Sequence, residues 1–405
     1  MKNKKITYKN FIQAEYLNFS LNKKLNTVYS RIFKNVVKNL DISLDTFHIL
    51  SNKFKFNFEK KDIDQFKRFK NVVIIGMGGS ILGSEAIYLF LKKKIKKNFL
   101  FLDNIDLDKL KKFSNKARSD KTLFIVISKS GNTIETLSNF IALRIIKKNS
   151  KNIVIISEKN NNSLYRLSKK MKLQHIEHKH YIGGRYSVLS EVGMVPAYLM
   201  GLNIKKIRKN LLTHLKTKNK IFLKDSVVKL TNLLVNNKFQ NLIFFNYVPQ
   251  LEKFLYWNQQ LIAESLGKKE KGFLPLISNA PKDHHSLLQL YLDGPKDKLF
   301  YIFSTERFND KKIITKNLDK NLDFLNNKSL SQIKIAQKNA FIKVLKRKKI
   351  PFREFIIKDF SEQNLGELFS YFILETALIG KLSNINPFDQ PAVEQVKVDA
   401  KRLLI

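Results

Sequence analysis

The chain has 405 residues, 43% of them hydrophobic, and no cysteine, which excludes a disordered protein, disulfides, thiolate metal ligands and a cysteine nucleophile. The formal net charge of +41 first suggests a nucleic-acid partner, but the lysines are spread from end to end, arginine is sparse and no nucleic-acid motif accompanies them. We therefore predict a solvated lysine-rich surface that attracts small anions, and no nucleic-acid partner. The absence of cysteine suits a reducing compartment, so we expect a cytoplasmic protein.

The first half of the chain begins with a helical pattern and continues as alternating strands and helices. Residues 1–65 predict an N-terminal helical segment, because apolar positions are spaced and glycine and proline are few. Residues 66–202 predict a first α/β domain, with strands at 72–75, 99–102, 123–127 and 153–156. No run approaches the roughly 18 apolar residues of a membrane-spanning helix, so we expect no membrane partner.

The same alternation restarts after a lysine-rich helical region near 203–238. Residues 203–360 predict a second α/β domain, with strands at 242–245, 274–277, 299–303 and 355–357 and helices near 250–266 and 330–349. Residues 361–405 predict a C-terminal helical segment, with helices at 362–383 and 391–404. Strands that alternate with helices imply parallel sheets flanked by helices, so the predicted fold class is α/β.

A glycine-rich block, Gly76-Met-Gly-Gly-Ser80, follows the first predicted strand. A dinucleotide-binding fingerprint would place a third glycine where Ile81 stands, so this block does not predict a nucleotide cofactor. On its own it leaves two interpretations open. It is either a cradle in which backbone N–H groups hold a phosphate or a tight turn needed for packing.

A second block, Ser128-Lys-Ser-Gly-Asn-Thr133, again joins a strand to a helix. Three hydroxyls within six residues, beside the free N–H groups of a helix start, form a donor set for a phosphate dianion. Ordinary helix capping would need one hydroxyl. We therefore favour phosphate binding here, with Lys129 either touching the phosphate or pointing to solvent.

Glu264 and His285 are the candidates for proton transfer. Glu264 lies on a predicted helix, and a carboxylate in a cleft can move a proton. His285 belongs to an adjacent histidine pair, of which one member usually faces inward. A further cluster at 175–180 places His178 and His180 on one face of a predicted strand, as in a metal pair, but without a third ligand. A solvated strand end is the favoured interpretation, and we expect no metal.

Five blocks, in order, resemble the glucose-6-phosphate isomerase (phosphoglucose isomerase) family in its shorter bacterial form, over nearly the whole chain. Besides the two blocks above, they are Gly183-Gly-Arg-Tyr-Ser187, Gln259-Gln-Leu-Ile-Ala-Glu-Ser-Leu-Gly-Lys268 and Phe388-Asp-Gln-Pro-Ala-Val-Glu-Gln-Val-Lys397. The resemblance implies two sugar isomerase (SIS) domains and no cofactor. It also implies a homodimer with its active site at the subunit interface.

The same resemblance implies a role for each matched residue. Glu264 is similar to the base that moves a proton between C1 and C2, and Arg185 to the residue that stabilises the enediolate. His285 and Lys397 are similar to the pair that opens the sugar ring, with the histidine contributed by the partner subunit. The implied phosphate and substrate contacts are Gly79, Ser80, Ser128, Lys129, Ser130, Thr133, Gln260 and Gln390.

Three functions remain open from the sequence. The first is isomerisation of D-glucose 6-phosphate and D-fructose 6-phosphate, as in glycolysis and gluconeogenesis, which the resemblance favours. The second is a related isomerase that also accepts mannose 6-phosphate. The third is a non-catalytic SIS-type sensor of phosphosugars. It would need the phosphate blocks but not the combination of Glu264, Arg185, His285 and Lys397.

Overall fold

The computed structural model describes residues 5–42, 44–112, 120–216, 218–306 and 310–404. The described residues form two five-stranded sheets. The strands, in chain order, are β1 (Ile6–Phe11), β2 (Asn71–Ile75), β3 (Asn98–Leu102), β4 (Thr122–Ile127), β5 (Ile153–Ser157), β6 (Gln174–Glu177), β7 (Asn241–Asn246), β8 (Leu274–Asn279), β9 (Lys298–Ser304) and β10 (Phe352–Ile357).

Helices cover both sheets and connect their strands. The described α-helices are α1 (Phe19–Asn39), α2 (Lys60–Asp64), α3 (Leu82–Phe90), α4 (Leu107–Lys111), α5 (Ile134–Ala142), α6 (Ser163–Lys170), α7 (Glu191–Leu199), α8 (Ile204–Ile207), α9 (Thr213–Lys216), α10 (Asn219–Asn236), α11 (Glu252–Leu266), α12 (Leu288–Asp293), α13 (Leu330–Arg347), α14 (Glu362–Leu382) and α15 (Glu394–Arg402). Short 3₁₀ turns at Gly78–Ser80, Gly184–Leu189 and Lys282–His284 carry parts of the predicted motifs.

The first sheet has the order β3-β2-β4-β5-β6, and all of its strands are parallel. Every residue of β4 and of β5 is buried, as expected for parallel strands covered by helices on both faces. The glycine block follows β2 and the hydroxyl block follows β4. Because β2 pairs directly with β4, the two blocks lie side by side at the carboxyl edge of this sheet.

The second sheet has the order β1-β10-β9-β7-β8, with four parallel strands and one antiparallel strand. The antiparallel strand is β1, which pairs Ile6 with Ile357 and Phe11 with Phe352. The sequence predicted a helical segment over 1–65 and no strand there, so β1 is a correction. The rest of that segment contains the long helix α1, as predicted. Strand β8 lies at the opposite edge of the sheet.

Two helices join the halves of the molecule. Helix α14 is almost entirely buried, and α11 packs against both α14 and α3 of the first half. Trp257 of α11 is buried against Phe254 and Phe369, at ring-centroid distances of 5.4 and 4.7 Å. This packing fixes the end of α11 beside the first sheet, and Glu264 lies at that end.

The last helix, α15, differs from the other long helices because each of its residues remains at least partly exposed. Val396, on α15, and Leu403 and Leu404, which follow it, are 70, 88 and 73% exposed. Among the helices of the described ranges, none is both long and apolar enough to cross a membrane.

Candidate active site

The glycine block lies in direct contact with the Gly-Gly-Arg block and with α11. A Cβ on Gly79 would lie 2.3 Å from the carbonyl carbon of Gly184. Gly78 has a φ of +51°, and a Cβ there would lie 2.7 Å from the Nε2 atom of Gln260. These two glycines therefore allow three of the predicted blocks to approach each other, with the half-buried Ser80 at the end of the same turn.

Arg185 is the centre of the site, and its side chain is only 2% exposed. Its Nη1 atom donates to Glu264 Oε2 at 3.1 Å and to Gln390 Oε1 at 2.5 Å. The remaining N–H groups donate to Ser265 Oγ and to the carbonyl oxygens of Pro387 and Asp389, at 2.8, 2.7 and 2.9 Å. All five N–H groups of the guanidinium thus have acceptors, which fixes its position.

Glu264 is held on both carboxylate oxygens but remains partly open. Its Oε1 atom accepts a hydrogen bond from Gln260 Nε2 at 2.9 Å, and its Oε2 atom accepts from Arg185. The side chain is 29% exposed, so one face of the carboxylate is accessible. An oriented carboxylate beside a fixed positive charge can remove a proton while the charge stabilises the oxyanion that forms.

The hydroxyl block forms a closed turn at the carboxyl edge of the first sheet. Ser128 Oγ lies 2.9 Å from Thr133 Oγ1 and accepts a hydrogen bond from Gly131 N at 3.1 Å. Gly131 has a φ of +64°, and a Cβ there would lie 1.8 Å from Asn162 Oδ1. Thr133 is the N-cap residue of α5 but makes no side-chain cap, so its hydroxyl remains directed at Ser128. Ser130 is exposed at the outer side of the turn.

Lys129, in the same turn, lies near the carboxylate of Glu158. Its Nζ atom lies 3.7 Å from Glu158 Oε1, and its side chain is 33% exposed. Burial lowers the pKa of Lys129, and the nearby charge of Arg185 lowers it further, while Glu158 acts in the opposite direction.

His285 and Lys397 do not join this group within the chain. His284, the neighbour of His285, faces inward, where its Nε2 atom lies 2.7 Å from the Tyr247 hydroxyl. His285 itself is exposed, and Lys397 pairs with Glu394 on α15 at 2.8 Å. Among the described residues, neither makes a hydrogen bond or an ion pair with Arg185 or Glu264.

The sequence analysis missed residues that hold the arginine in place. Ser265 accepts from Arg185 Nε, and Tyr186 lies 2.8 Å from the same hydroxyl. Trp257 donates from its indole nitrogen to the Arg185 carbonyl at 3.1 Å. Trp257 and Glu264 are seven residues apart, close to two helical turns, so the spacing on α11 was a usable signal.

The histidine cluster differs from the predicted strand. Strand β6 ends at Glu177, so His178 and His180 lie beyond it and the predicted strand face is wrong. His178 is 2% exposed and donates from Nδ1 to the Lys179 carbonyl at 2.9 Å. Burial lowers the pKa of His178 to about 4. Within the described ranges, no group of three or more histidine or acidic side chains is arranged to hold a metal.

Comparisons with known proteins point to one family. The sequence model of that family, phosphoglucose isomerase, matches residues 17–404 of this chain. The glucose-6-phosphate isomerase of Methanocaldococcus jannaschii is 33% identical over 363 residues, which cover 85% of this chain and 87% of that protein. The glucose-6-phosphate isomerase of Campylobacter jejuni is 30% identical over 397 residues, which cover 93% of this chain and 95% of that protein.

Solved structures agree with the fold. A hypothetical protein from Thermus thermophilus aligns with a TM-score of 0.83 at 22% identity, covering 98% of this chain and all of that chain. A glucose-6-phosphate isomerase from Chlamydia trachomatis aligns with a TM-score of 0.76 at 17% identity, covering 99% of this chain and 88% of that chain. The predicted α/β class, with two sheets of parallel strands flanked by helices, is confirmed, and the antiparallel β1 is an addition at one edge of the second sheet.

Proposed function

Because the chain belongs to the phosphoglucose isomerase family, we propose that it catalyses the reversible isomerisation of D-glucose 6-phosphate and D-fructose 6-phosphate. The observation that carries this proposal is the contact between Glu264 and the buried Arg185, at 3.1 Å. A sensor that only bound phosphosugars would not need this pair, and no observation favours mannose 6-phosphate as a further substrate.

In the proposed reaction, Glu264 moves a proton between C1 and C2 of the open sugar. The hydrogen bond from Gln260 and the ion pair with Arg185 hold the carboxylate in one orientation. Its accessible face would meet the sugar, because the opposite side is occupied by these two partners. An oriented base of this kind contributes about 10²–10⁴ to the rate of a proton transfer.

Arg185 stabilises the negative charge that develops on the enediolate oxygens. Since all five of its N–H groups are engaged, it acts mainly through its fixed charge and not by closing on the substrate. Gln390 accepts from Arg185 through its oxygen, which leaves its amide NH₂ group to donate to the sugar.

The phosphate of the substrate is bound by the glycine and hydroxyl blocks. The proposed donors are backbone N–H groups near Gly79 and the side chains of Ser80, Ser128, Ser130, Thr133 and Lys129. The adjacent positions of the blocks after β2 and β4 support this assignment, as does the start of α5, whose N-terminal dipole favours an anion. The phosphate would then position C1 and C2 at Glu264 with binding energy from outside the reacting centre.

Ring opening is assigned to His285 and Lys397, with His285 contributed by the second subunit of a homodimer. The exposure of His285 supports this part of the proposal. Two large apolar side chains of β8, the edge strand of the second sheet, are also exposed: Leu274 at 59% and Leu276 at 39%. An exposed edge strand carrying leucines is a favourable surface for a second copy.

The test is conversion of fructose 6-phosphate to glucose 6-phosphate, measured through a coupled dehydrogenase. Glu264→Gln should lower kcat by about 10³-fold, because the amide cannot accept the proton. The matched control is Glu270→Gln, on an exposed turn just after α11, which should retain the wild-type rate. EDTA should leave the rate unchanged. A Glu264→Gln enzyme with a near wild-type rate would refute the proposed base, and wild-type protein that binds sugar phosphate without turnover would favour the sensor.

A further inference from the structure

A polar cavity, which we call the lysine cavity, lies away from the Arg185–Glu264 site. It has a volume of about 600 Å³ and is lined by residues of β6 and α6 and of the segments before and after β5. None of the predicted catalytic or phosphate-binding residues lines it. Volumes between about 300 and 1,000 Å³ are usual for small-molecule sites.

Four lysines line this cavity: Lys151, Lys159, Lys169 and Lys172. Each is exposed, and within the described ranges none of the four makes an ion pair. Glu177 is the acidic residue among the lining side chains, so the wall carries about three net positive charges. Four ammonium groups around one concave surface repel each other, and a bound anion removes that repulsion.

Another cavity of similar size, the comparison cavity, shows how lysines are paired elsewhere in the chain. It has a volume of about 570 Å³ and is also lined by several lysines, but Glu15 and Asp293 line it as well. Lys348 lies 3.8 Å from Asp293, and Lys298 lies 2.8 Å from Asp297. The linings of the two cavities therefore carry about the same net charge, but Lys298 and Lys348 of the comparison cavity are held in ion pairs, whereas the four lysines of the lysine cavity have no such pair in the described part of the chain.

The side chains of His175 and Tyr165, which line the lysine cavity, are held in place by neighbouring contacts. His175 Nε2 lies 3.0 Å from Ser157 Oγ, and the ring of Tyr165 packs edge-on against His175 at 4.9 Å. Burial lowers the pKa of His175 to about 4, and the charges of Lys169 and Lys159 lower it further. Lys169 Nζ lies 5.5 Å from the centroid of the Tyr165 ring, and Lys159, from a different segment, lines the same cavity.

We propose that this cavity binds a small polyphosphorylated anion, either free polyphosphate or the triphosphate of a nucleotide. The cavity is large enough for such a molecule, and its unpaired lysines match a ligand with three or four negative charges. This inference is independent of the isomerase activity, since the lysine cavity and the Arg185–Glu264 site share no residue.

The test is isothermal titration of the full chain with inorganic tripolyphosphate at about 0.15 M salt, a condition that screens weak surface attraction. The wild-type protein should bind one equivalent at this cavity. Lys159→Gln/Lys172→Gln should weaken binding about tenfold, because two charge-assisted contacts are lost. The matched control is Lys34→Gln/Lys38→Gln on α1, which removes the same charge from two exposed lysines and should bind as the wild type does.

Two further arms complete the experiment. Orthophosphate should bind at least about tenfold more weakly than tripolyphosphate, since it reaches fewer lysines. Equal affinities for ATP and tripolyphosphate would assign the site to the polyphosphate chain, and tighter binding of ATP would assign it to a nucleotide. Equal binding of tripolyphosphate by the wild type and the Lys159→Gln/Lys172→Gln variant would overturn the proposal, because the anion would then be held elsewhere. Failure of the wild type to bind tripolyphosphate would overturn it equally.

Discussion

Arg185 and Glu264 lie in contact inside one chain, whereas His285 and Lys397 lie exposed on separate elements. Arg185 and Glu264, together with Gln260 and Gln390, form what we call the inner group, which is linked by hydrogen bonds of 2.5–3.1 Å. His285 and Lys397 form the outer group. A single chain therefore holds the residues of the inner group in contact with one another. The described part of the chain does not bring the residues of the outer group into hydrogen-bonding contact with Arg185 or Glu264.

The two groups differ in what positions their side chains. The inner group is positioned by the packing of α11 against α3 and α14, so its formation is coupled to folding of the chain. The outer group is attached to exposed surfaces, at the 3₁₀ turn after β8 and on α15. Changes in the inner group should therefore alter both stability and catalysis, while changes in the outer group should alter catalysis alone.

The largest effect is expected from Arg185→Ala. The substitution removes the guanidinium that donates to Ser265 and to the Pro387 and Asp389 carbonyls. Among the described residues, the Ser265 hydroxyl and the Pro387 carbonyl then keep only the Tyr186 hydroxyl as a partner. Glu264 also loses the charge beside it. The free energy of unfolding should fall by about 3–5 kcal/mol, since one partner of a buried ion pair is lost. The value of kcat should fall by about 10³-fold. Urea unfolding and the coupled assay measure the two effects.

Lys397→Ala is the control for that variant. Its side chain is 59% exposed and pairs with Glu394, an ion pair that contributes about 0–1 kcal/mol. We expect a large loss of kcat with an unfolding curve close to that of the wild type. If Lys397→Ala destabilised the chain as much as Arg185→Ala, the division into inner and outer groups would be wrong.

The next effect tests whether the outer group comes from a second subunit. His285→Ala and Glu264→Gln should each be inactive alone. In a mixed dimer, one site would combine Glu264 of the first variant with the intact histidine of the second. Unfolding and refolding the two variants together should restore about a quarter of the wild-type rate, because half of the dimers are mixed and half of their sites are intact. No recovery from a folded mixture would place His285 in its own chain's site or outside the reaction.

The inner group's surroundings were largely predictable, because they follow from local patterns. The glycine and hydroxyl blocks each follow a continuous apolar strand, and parallel strands bring their carboxyl ends to the same edge. The pairing of Arg185 with Glu264 was not visible in this way. It depends on the contact between α11 and the Gly-Gly-Arg turn, and two of the arginine's acceptors are backbone carbonyls near 387–389 that carry no sequence signal.

Two departures from the predictions have physical causes. Strand β1 was missed because Ile6–Phe11 has weak alternation and acquires its strand geometry by pairing with β10, almost the whole chain length away. The end of β6 was misplaced because His178 and His180 alternate as in a strand. The strand ends at Glu177, and the buried His178 side chain donates to the Lys179 carbonyl.

The smallest effect concerns His178, which is buried next to Lys129 of the hydroxyl block. Burial and the charges of Lys129 and Lys179 lower its pKa from 6.5 to about 4 in the folded chain. The unfolded chain therefore binds more protons between pH 6.5 and pH 4, so stability is highest above pH 6.5 and falls as the pH decreases toward 4. The contribution of this histidine between about pH 7.5 and about pH 5 is about 2 kcal/mol.

His178→Leu should reduce the loss of unfolding free energy between about pH 7.5 and about pH 5 by about that amount, as measured by urea unfolding at each pH. His180→Leu, at an exposed position two residues away, should keep the wild-type pH dependence. An unchanged slope in His178→Leu would mean that this imidazole is protonated in the folded chain and offset by a partner. Because the prediction concerns folding alone, its outcome would not alter the assignment of Glu264. It would instead measure how strongly burial disfavours the protonated form of His178 near Lys129.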